Sequence, residues 1–447
     1  MLADLSPVPA IRKAAQRINQ MTSERRTLKL VKECHRLLSV RAEANSPAIA
    51  QNIIGELDAL SEAEQDALFY ALAHEFSPDP QAVLAAAQLY AATPTASALA
   101  ALSATAEPAR QELFRRLNRA PGGTAALVRL RRQLLRRLGK NSEWQSVEAD
   151  LLHLLSSWFN PGFLEMRCVD WNSPAHLLEQ IIQHEAVHAI DGWDDLRRRL
   201  QPDRRCFAFF HAQLANVPLI FVEVALAPAM PDAIAPLIDK NSDITAPKQF
   251  RVAAFYSISN CEAGLRGVSL GNFLIKRVAE ELKRELPQLK TFCTLSPIPG
   301  LMNWLARLER ADAALAYEGL KPATRKKLLE ALAELRKAAN GELSSLSRDA
   351  TLKSLGKDAN EALLALASVY LIHESPLAGG DPVARFHLDN GARLERINAQ
   401  ANLSSQGLKQ SAGLMVNYLY DLDRVERSHE DFVNGTVTYA KGVGSLI

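Results

Sequence analysis

Apolar residues in the first third of the chain recur three and four positions apart. That spacing predicts amphipathic helices over residues 81–91, 109–117 and 124–138. The breaks fall at Ser77-Pro78, Thr93-Pro94, Pro108 and the turn Pro121-Gly122-Gly123. Period-two patterning is almost missing here, so an all-helical domain is expected over 1–160. Arg131, Arg132, Arg136 and Arg137 are expected on a solvated helix face of it. The character changes at residues 158–162. Beyond them, β-branched and aromatic runs bounded by turn residues predict strands over 205–211, 218–225, 252–259, 290–295 and 383–388. Helical patterns lie between, over 174–188 and 272–286, and return over 301–375 as an insertion. The fold expected is an α/β domain over 161–447 behind the all-helical one.

Composition narrows the classes of function. The chain has 447 residues, 48% apolar and 23% charged, enough to bury a large core and too apolar for wholesale disorder. Its 52 basic and 50 acidic side chains leave a formal charge of +2. A general nucleic-acid binder would carry a basic excess, so no nucleic acid is expected as partner. Any anionic ligand must be met by a local site. The cysteines Cys34, Cys168, Cys206, Cys261 and Cys293 are dispersed with no C-x-x-C pair, which fits reduced thiols in a cytoplasmic protein. The first residues carry no apolar signal core, and no apolar run is long enough to span a membrane.

Three motifs compete for the chemistry. His184-Glu185-Ala186-Val187-His188 matches H-E-x-x-H on a predicted helix, which would set two imidazoles on one face for zinc with Glu185 as base. No third ligand pattern follows, so the better reading is a helix end with His188 near its last turn and no metal. Gly267-Val268-Ser269-Leu270-Gly271 matches the G-x-S-x-G elbow, but an elbow needs the strand to run straight into the turn, and residues 260–266 intervene. The glycines Gly264, Gly267 and Gly271 instead lead into a predicted helix, where exposed backbone N–H groups can approach a phosphate. That order resembles the pyrophosphate cradle of GNAT-type acetyltransferases. Finally, Thr294-Leu295-Ser296-Pro297-Ile298-Pro299-Gly300 fixes the Ser296 hydroxyl on a stiff segment, and His387 follows in Phe386-His387-Leu388 on a predicted strand. Serine and histidine from separate segments can form a proton-handling pair.

Taken together, EAVHAIDGWDDLRRRL, RRCFAFFH, PLIFVEVAL, FYSIS, GLRGVSLGNFLIKRVAEELKRELPQL, TLSPIPG, VARFHLDNGARLERINAQANLS and GLMVNYLYDL resemble the malonyl-CoA decarboxylases. The resemblance covers most of 185–304 and 383–422, in order. It implies a helical oligomerisation domain, then a GNAT-type acetyltransferase-like α/β catalytic domain with a helical insertion. It places the catalytic serine on Ser296 and the catalytic histidine on His387. The coenzyme A loop falls on Arg266, Gly267, Val268, Ser269, Leu270, Gly271 and Asn272. Some members carry Glu at the position of Ser269. The peroxisomal Ser-Lys-Leu that ends animal members is replaced here by Ser445-Leu446-Ile447.

The activity implied is conversion of malonyl-CoA to acetyl-CoA and CO₂ through a thioester enolate protonated by Ser296 and His387. Coenzyme A is then part of the substrate and no separate cofactor is needed. The implied protein is a homo-oligomer, a tetramer by resemblance, with no membrane partner. The alternatives are an acyl-CoA-dependent N-acyltransferase of the same fold, a zinc hydrolase through His184, Glu185 and His188, and a coenzyme A-sensing scaffold without turnover.

Overall fold

A computed structural model describes residues 9–39, 45–271, 274–310, 320–377 and 379–447. The chain divides into two compact units. The first holds the described residues up to Phe163 together with His211–Ala215 and Glu262–Ser269; the second holds Leu164–Phe210, Asn216–Cys261 and the described residues from Leu270 on.

The first unit is helical: α1 (Pro9–Leu38), α2 (Ser46–Asp58), α3 (Glu62–His74), α4 (Pro80–Ala92), α5 (Ala96–Ala106), α6 (Ala109–Asn118), α7 (Gly123–Arg137) and α8 (Gln145–Trp158). Helix α3 begins on a capping box in which Ser61 and Glu64 satisfy each other's backbone N–H. One core gathers Leu30, Leu37, Ile53, Phe69, Phe114, Leu127, Leu134 and Leu151. Helices α4 and α5 contribute nothing to it. Both are rich in Ala and Leu, and α5 holds nothing but Ala, Leu, Ser and Thr; they bury no residue and leave Leu84, Leu89 and Leu99 exposed.

Arg131 corrects the expectation of a solvated arginine face. It is buried in α7, donates to the Gly264 carbonyl at 2.7 Å and pairs with Glu148 at 2.6 Å. It stands four residues after Leu127, on the stripe that also buries Leu130 and Leu134, so helical periodicity prevails over the run of charge.

The second unit is built on an eight-stranded mixed sheet in the order β1-β2-β3-β4-β5-β8-β6, with β7 on β8. The strands are β1 (Leu164–Val169), β2 (Arg204–His211), β3 (Ile220–Ala227), β4 (Val252–Asn260), β5 (Thr291–Thr294), β6 (Ser296–Pro297), β7 (Arg393–Asn398) and β8 (Met415–Leu419). Neighbours β2, β3 and β4 run antiparallel, β4 and β5 run parallel, and β8 is antiparallel to β5, β6 and β7. A parallel pair needs a crossover, and α11 (Leu274–Glu285) supplies it, burying Leu274, Ile275, Val278 and Leu282. This is the helical region followed by a mixed α/β domain that the sequence led us to expect, and the insertion is helical over Leu301–Arg310, Pro322–Ala338 and Lys357–Val369.

One expected strand is a helix. Residues 383–388 lie in α12 (Pro382–Asp389), not in a strand. Asp381 caps it, accepting from the N–H of Val383 and Ala384 at 3.0 Å, and Pro382 supplies a preset φ for its first turn. Ala384, His387 and Leu388 then share the buried face at helical spacing. Helix α9 (Ala175–His184) is shorter than the expected 174–188, and α10 (Gly192–Arg199) follows it.

Candidate functional site

Strand β6 and helix α12 bring Ser296 and His387 together inside the second unit. Ser296 Oγ lies 2.9 Å from His387 Nε2, and both residues are buried. On the far side of the ring, Nδ1 lies 3.0 Å from the hydroxyl of Tyr420. The Tyr418 ring stacks on the imidazole with centroids 4.8 Å apart, and the Phe386 ring meets its edge. Among the described residues no charged group shifts its pKa. Burial alone pushes the His387 pKa down to about 3, so the ring is neutral at physiological pH. An unperturbed histidine would instead titrate at about pH 6.5. The hydroxyls of Tyr418 and Tyr420 are likewise pushed up by burial and stay protonated.

The segment after β5 is pinned from several sides. Ser296 Oγ donates to Thr294 Oγ1 at 2.9 Å, and the backbone N–H of Tyr418 donates to the same oxygen at 3.2 Å. The fully buried Asn417 amide donates to the Thr294 carbonyl at 2.8 Å. Asp381 ties the Ser-Pro-Ile-Pro-Gly segment to α12: besides capping the helix, its carboxylate accepts from Gly300 N–H at 2.9 Å and from the Tyr370 hydroxyl at 3.3 Å. Burial raises the Asp381 pKa, and the donors around it oppose the rise. Gly300 has no room for a side chain, since a Cβ there would lie 2.0 Å from the Tyr370 oxygen.

After β4 a 3₁₀ turn, Ala263–Leu265, precedes the exposed Arg266 and Gly267. Gly267 has φ +85°, a left-handed conformation that favours glycine. Val268 and Leu270 are buried, and Ser269 is exposed away from any strand-to-helix elbow. Gly271 abuts the helix that carries His387: a Cβ there would lie 2.2 Å from the Phe386 ring. Asn272 lies outside the described residues.

The H-E-x-x-H segment does not have the geometry its pattern suggested. Helix α9 ends at His184, and Glu185 turns out of it with ψ 106°, so the two imidazoles do not share a helical face. The Glu185 carboxylate instead accepts from the N–H of Val187 and His188 and from the hydroxyls of Ser257 and Ser259. It anchors a loop. His188 is buried beside Arg199, and burial first and that cation second push its pKa down to about 4. No cluster of metal-ligating side chains occurs among the described residues.

Sequence reasoning missed Thr294, Asp381, Tyr418 and Tyr420. Signals for them existed. Thr294 stands two residues before Ser296 in extended chain, where alternate side chains share a face, and Tyr418 and Tyr420 alternate the same way at the end of β8. Asp381-Pro382 is a helix-start signature.

Comparisons with known proteins agree on one family. Residues 162–447 match the family described as malonyl-CoA decarboxylase C-terminal domain, and residues 76–159 match the malonyl-CoA decarboxylase N-terminal domain. A protein of the goose Anser anser anser named malonyl-CoA decarboxylase, mitochondrial, is 36% identical over 325 residues, covering 71% of this chain and 64% of that protein. The rat protein of the same name is 37% identical over 326 residues, covering 71% of this chain and 66% of that one. The match thus spans a little under two-thirds of the length of these curated relatives. A crystal structure of malonyl-CoA decarboxylase from Rhodopseudomonas palustris superposes with a TM-score of 0.81 at 43% identity, covering 94% of this chain and 99% of that chain. One from Agrobacterium vitis gives 0.80 at 43%, with the same coverage.

Proposed function

The chain belongs to the malonyl-CoA decarboxylase family of carboxy-lyases, and we propose that it converts malonyl-CoA to acetyl-CoA and CO₂ at the Ser296–His387 pair. The observation that carries the reading is the 2.9 Å contact between Ser296 Oγ and a neutral, buried His387 Nε2. When the malonyl carboxylate leaves as CO₂, the electrons of the broken C–C bond pass into the thioester as an enolate. Two things are then needed: a hydrogen-bond donor for the oxygen that gains charge, and a proton for the carbon. A neutral imidazole can serve as such a donor. In this reading the Ser296–His387 pair lies against the reacting thioester, one proton passes from the pair to carbon, and water replaces it. The net change consumes one proton and needs no redox partner.

The loop from Arg266 to Asn272 is proposed to hold the coenzyme A moiety, as the family resemblance implies, with Gly267 supplying its left-handed turn. We also assign homo-oligomerisation to the helical unit. The exposed hairpin of α4 and α5, with Leu84, Leu89 and Leu99 uncovered, is apolar surface that a second copy would bury. The reading is tested by incubating purified protein with malonyl-CoA. Equimolar acetyl-CoA and CO₂ are expected. Release of neither, or consumption of malonyl-CoA only after an amine acceptor is added, with coenzyme A and no CO₂ as product, would overturn it.

A further inference from the structure

Thr294 is fully buried at the end of β5 and touches Ser296, yet nothing in the reaction above uses it. Its oxygen is fixed by the two strands that meet there: the Tyr418 N–H of β8 donates to it at 3.2 Å, and its own carbonyl accepts from Asn417 at 2.8 Å. The geometry of the 2.9 Å contact makes Ser296 the donor and Thr294 the acceptor. A serine hydroxyl has one proton and two acceptor sites. Once its proton points at Thr294, Ser296 can meet His387 only as an acceptor. Nε2 must then carry the ring proton, and Nδ1, left with its lone pair, accepts from Tyr420, 3.0 Å away.

We propose that Thr294 is a positioning residue that sets the direction of this hydrogen-bond chain, from Tyr420 to His387 to Ser296 to Thr294. The inference rests on the reading of Ser296 and His387 as the reacting pair. It adds that the pair rests with its proton on the nitrogen that faces Ser296. A histidine so loaded cannot take the serine proton, so Ser296 is not primed as a nucleophile. The same two residue types that would make an acyl-enzyme in a hydrolase are here oriented to donate. Without the Thr294 hydroxyl the serine proton is free to turn to Nε2, which would move the ring proton to Nδ1.

The test reads the ring nitrogens of the whole protein labelled with ¹⁵N-histidine, with His387 assigned by the signal lost in His387→Gln. Wild type should show the one-bond N–H coupling at Nε2. Thr294→Val keeps the branched shape without the hydroxyl. It should shift the proton toward Nδ1 and lower kcat for malonyl-CoA roughly ten- to a hundredfold, part of the ~10²–10⁴-fold that general acid catalysis supplies. KM should hold within about twofold. Thr294→Ser, which restores the hydroxyl, should recover both the Nε2 proton and kcat; a protein damaged only in packing would not be rescued by the smaller side chain. A wild-type proton on Nδ1 overturns the proposal even if the valine variant does not fold. A Thr294→Val protein with full kcat and the proton still on Nε2 also overturns it, and leaves the Ser296–His387 reading standing. A wild type with the Nε2 proton that releases no CO₂ supports the direction of the chain and overturns that reading instead.

Discussion

His387 is a buried imidazole that ionises only far below neutrality, and this distinguishes its role from that of an ordinary acid–base histidine. With its pKa pushed down to about 3, the kcat profile should show no limb from His387 between about pH 6 and 8. Replacing it by Asn or Gln should lower kcat by about 10²–10⁴-fold with KM nearly unchanged, the pattern of a group that acts in the transition state. A rise in KM at constant kcat would mark it as a binding residue. Tyr420→Phe removes the donor to Nδ1 and leaves the ring in place. We expect kcat to fall about tenfold, with a loss of about 1 kcal/mol in stability from the missing hydrogen bond. Steady-state kinetics beside denaturant unfolding checks both.

Single side chains also hold the elements in place. Asp381 caps α12 and bonds to Gly300 and Tyr370, so one carboxylate joins the segment carrying Ser296 to the helix carrying His387. Asp381→Ala should cost about 2 kcal/mol or more, since a cap alone is worth about 0.5–2 and the Gly300 N–H is left unpaired. Arg131→Met should cost about 3 kcal/mol, at the low end for a broken buried pair because Glu148 keeps some access to water. Urea unfolding curves give both numbers, and a change below about 0.5 kcal/mol in either would refute the role given to that side chain. These two residues also show where the sequence misled. Residues 383–388 read as a strand because a short apolar run has no period of its own, while the helix is decided by Asp381-Pro382 just before it. Arg131 was hidden in a run of like charges, although its spacing from Leu127 and Leu134 placed it on the core stripe. By contrast α4, α6, α7, β2, β3, β4 and β5 were legible to within a few residues, because their apolar patterns were long or bounded by proline and glycine. Strand β8 was not legible. It is buried around Asn417, whose side-chain amide is satisfied by distant segments that no local pattern records.

For the molecule as a whole, two deeply buried neutral histidines contribute to the loss of stability in acid. His387 is held down to about 3 and His188 down to about 4, against about 6.5 in an unfolded chain. Between those values the unfolded state binds the extra proton, so each histidine lowers stability as the pH falls from about 6.5. Replacing either by Gln should flatten the acid side of the stability profile relative to wild type, measured as unfolding free energy from about pH 7 to 4. An unchanged slope would contradict the neutral, buried assignment. The apolar hairpin of α4 and α5 makes a second prediction at this scale. Leu89→Glu, at an exposed position of a helix that buries no residue, should lower the sedimentation-derived mass without lowering the unfolding free energy of the subunit.

Decarboxylation by Ser296 and a neutral His387 is tested most directly by following malonyl-CoA turnover in the wild type and in Ser296→Ala and His387→Gln. Proton-relay partners act as a unit, so each single variant should lose about as much kcat as the double variant, on the order of 10²–10⁴-fold, with coenzyme A affinity retained. Losses that multiply in the double variant would contradict the account, as would full turnover in either single one.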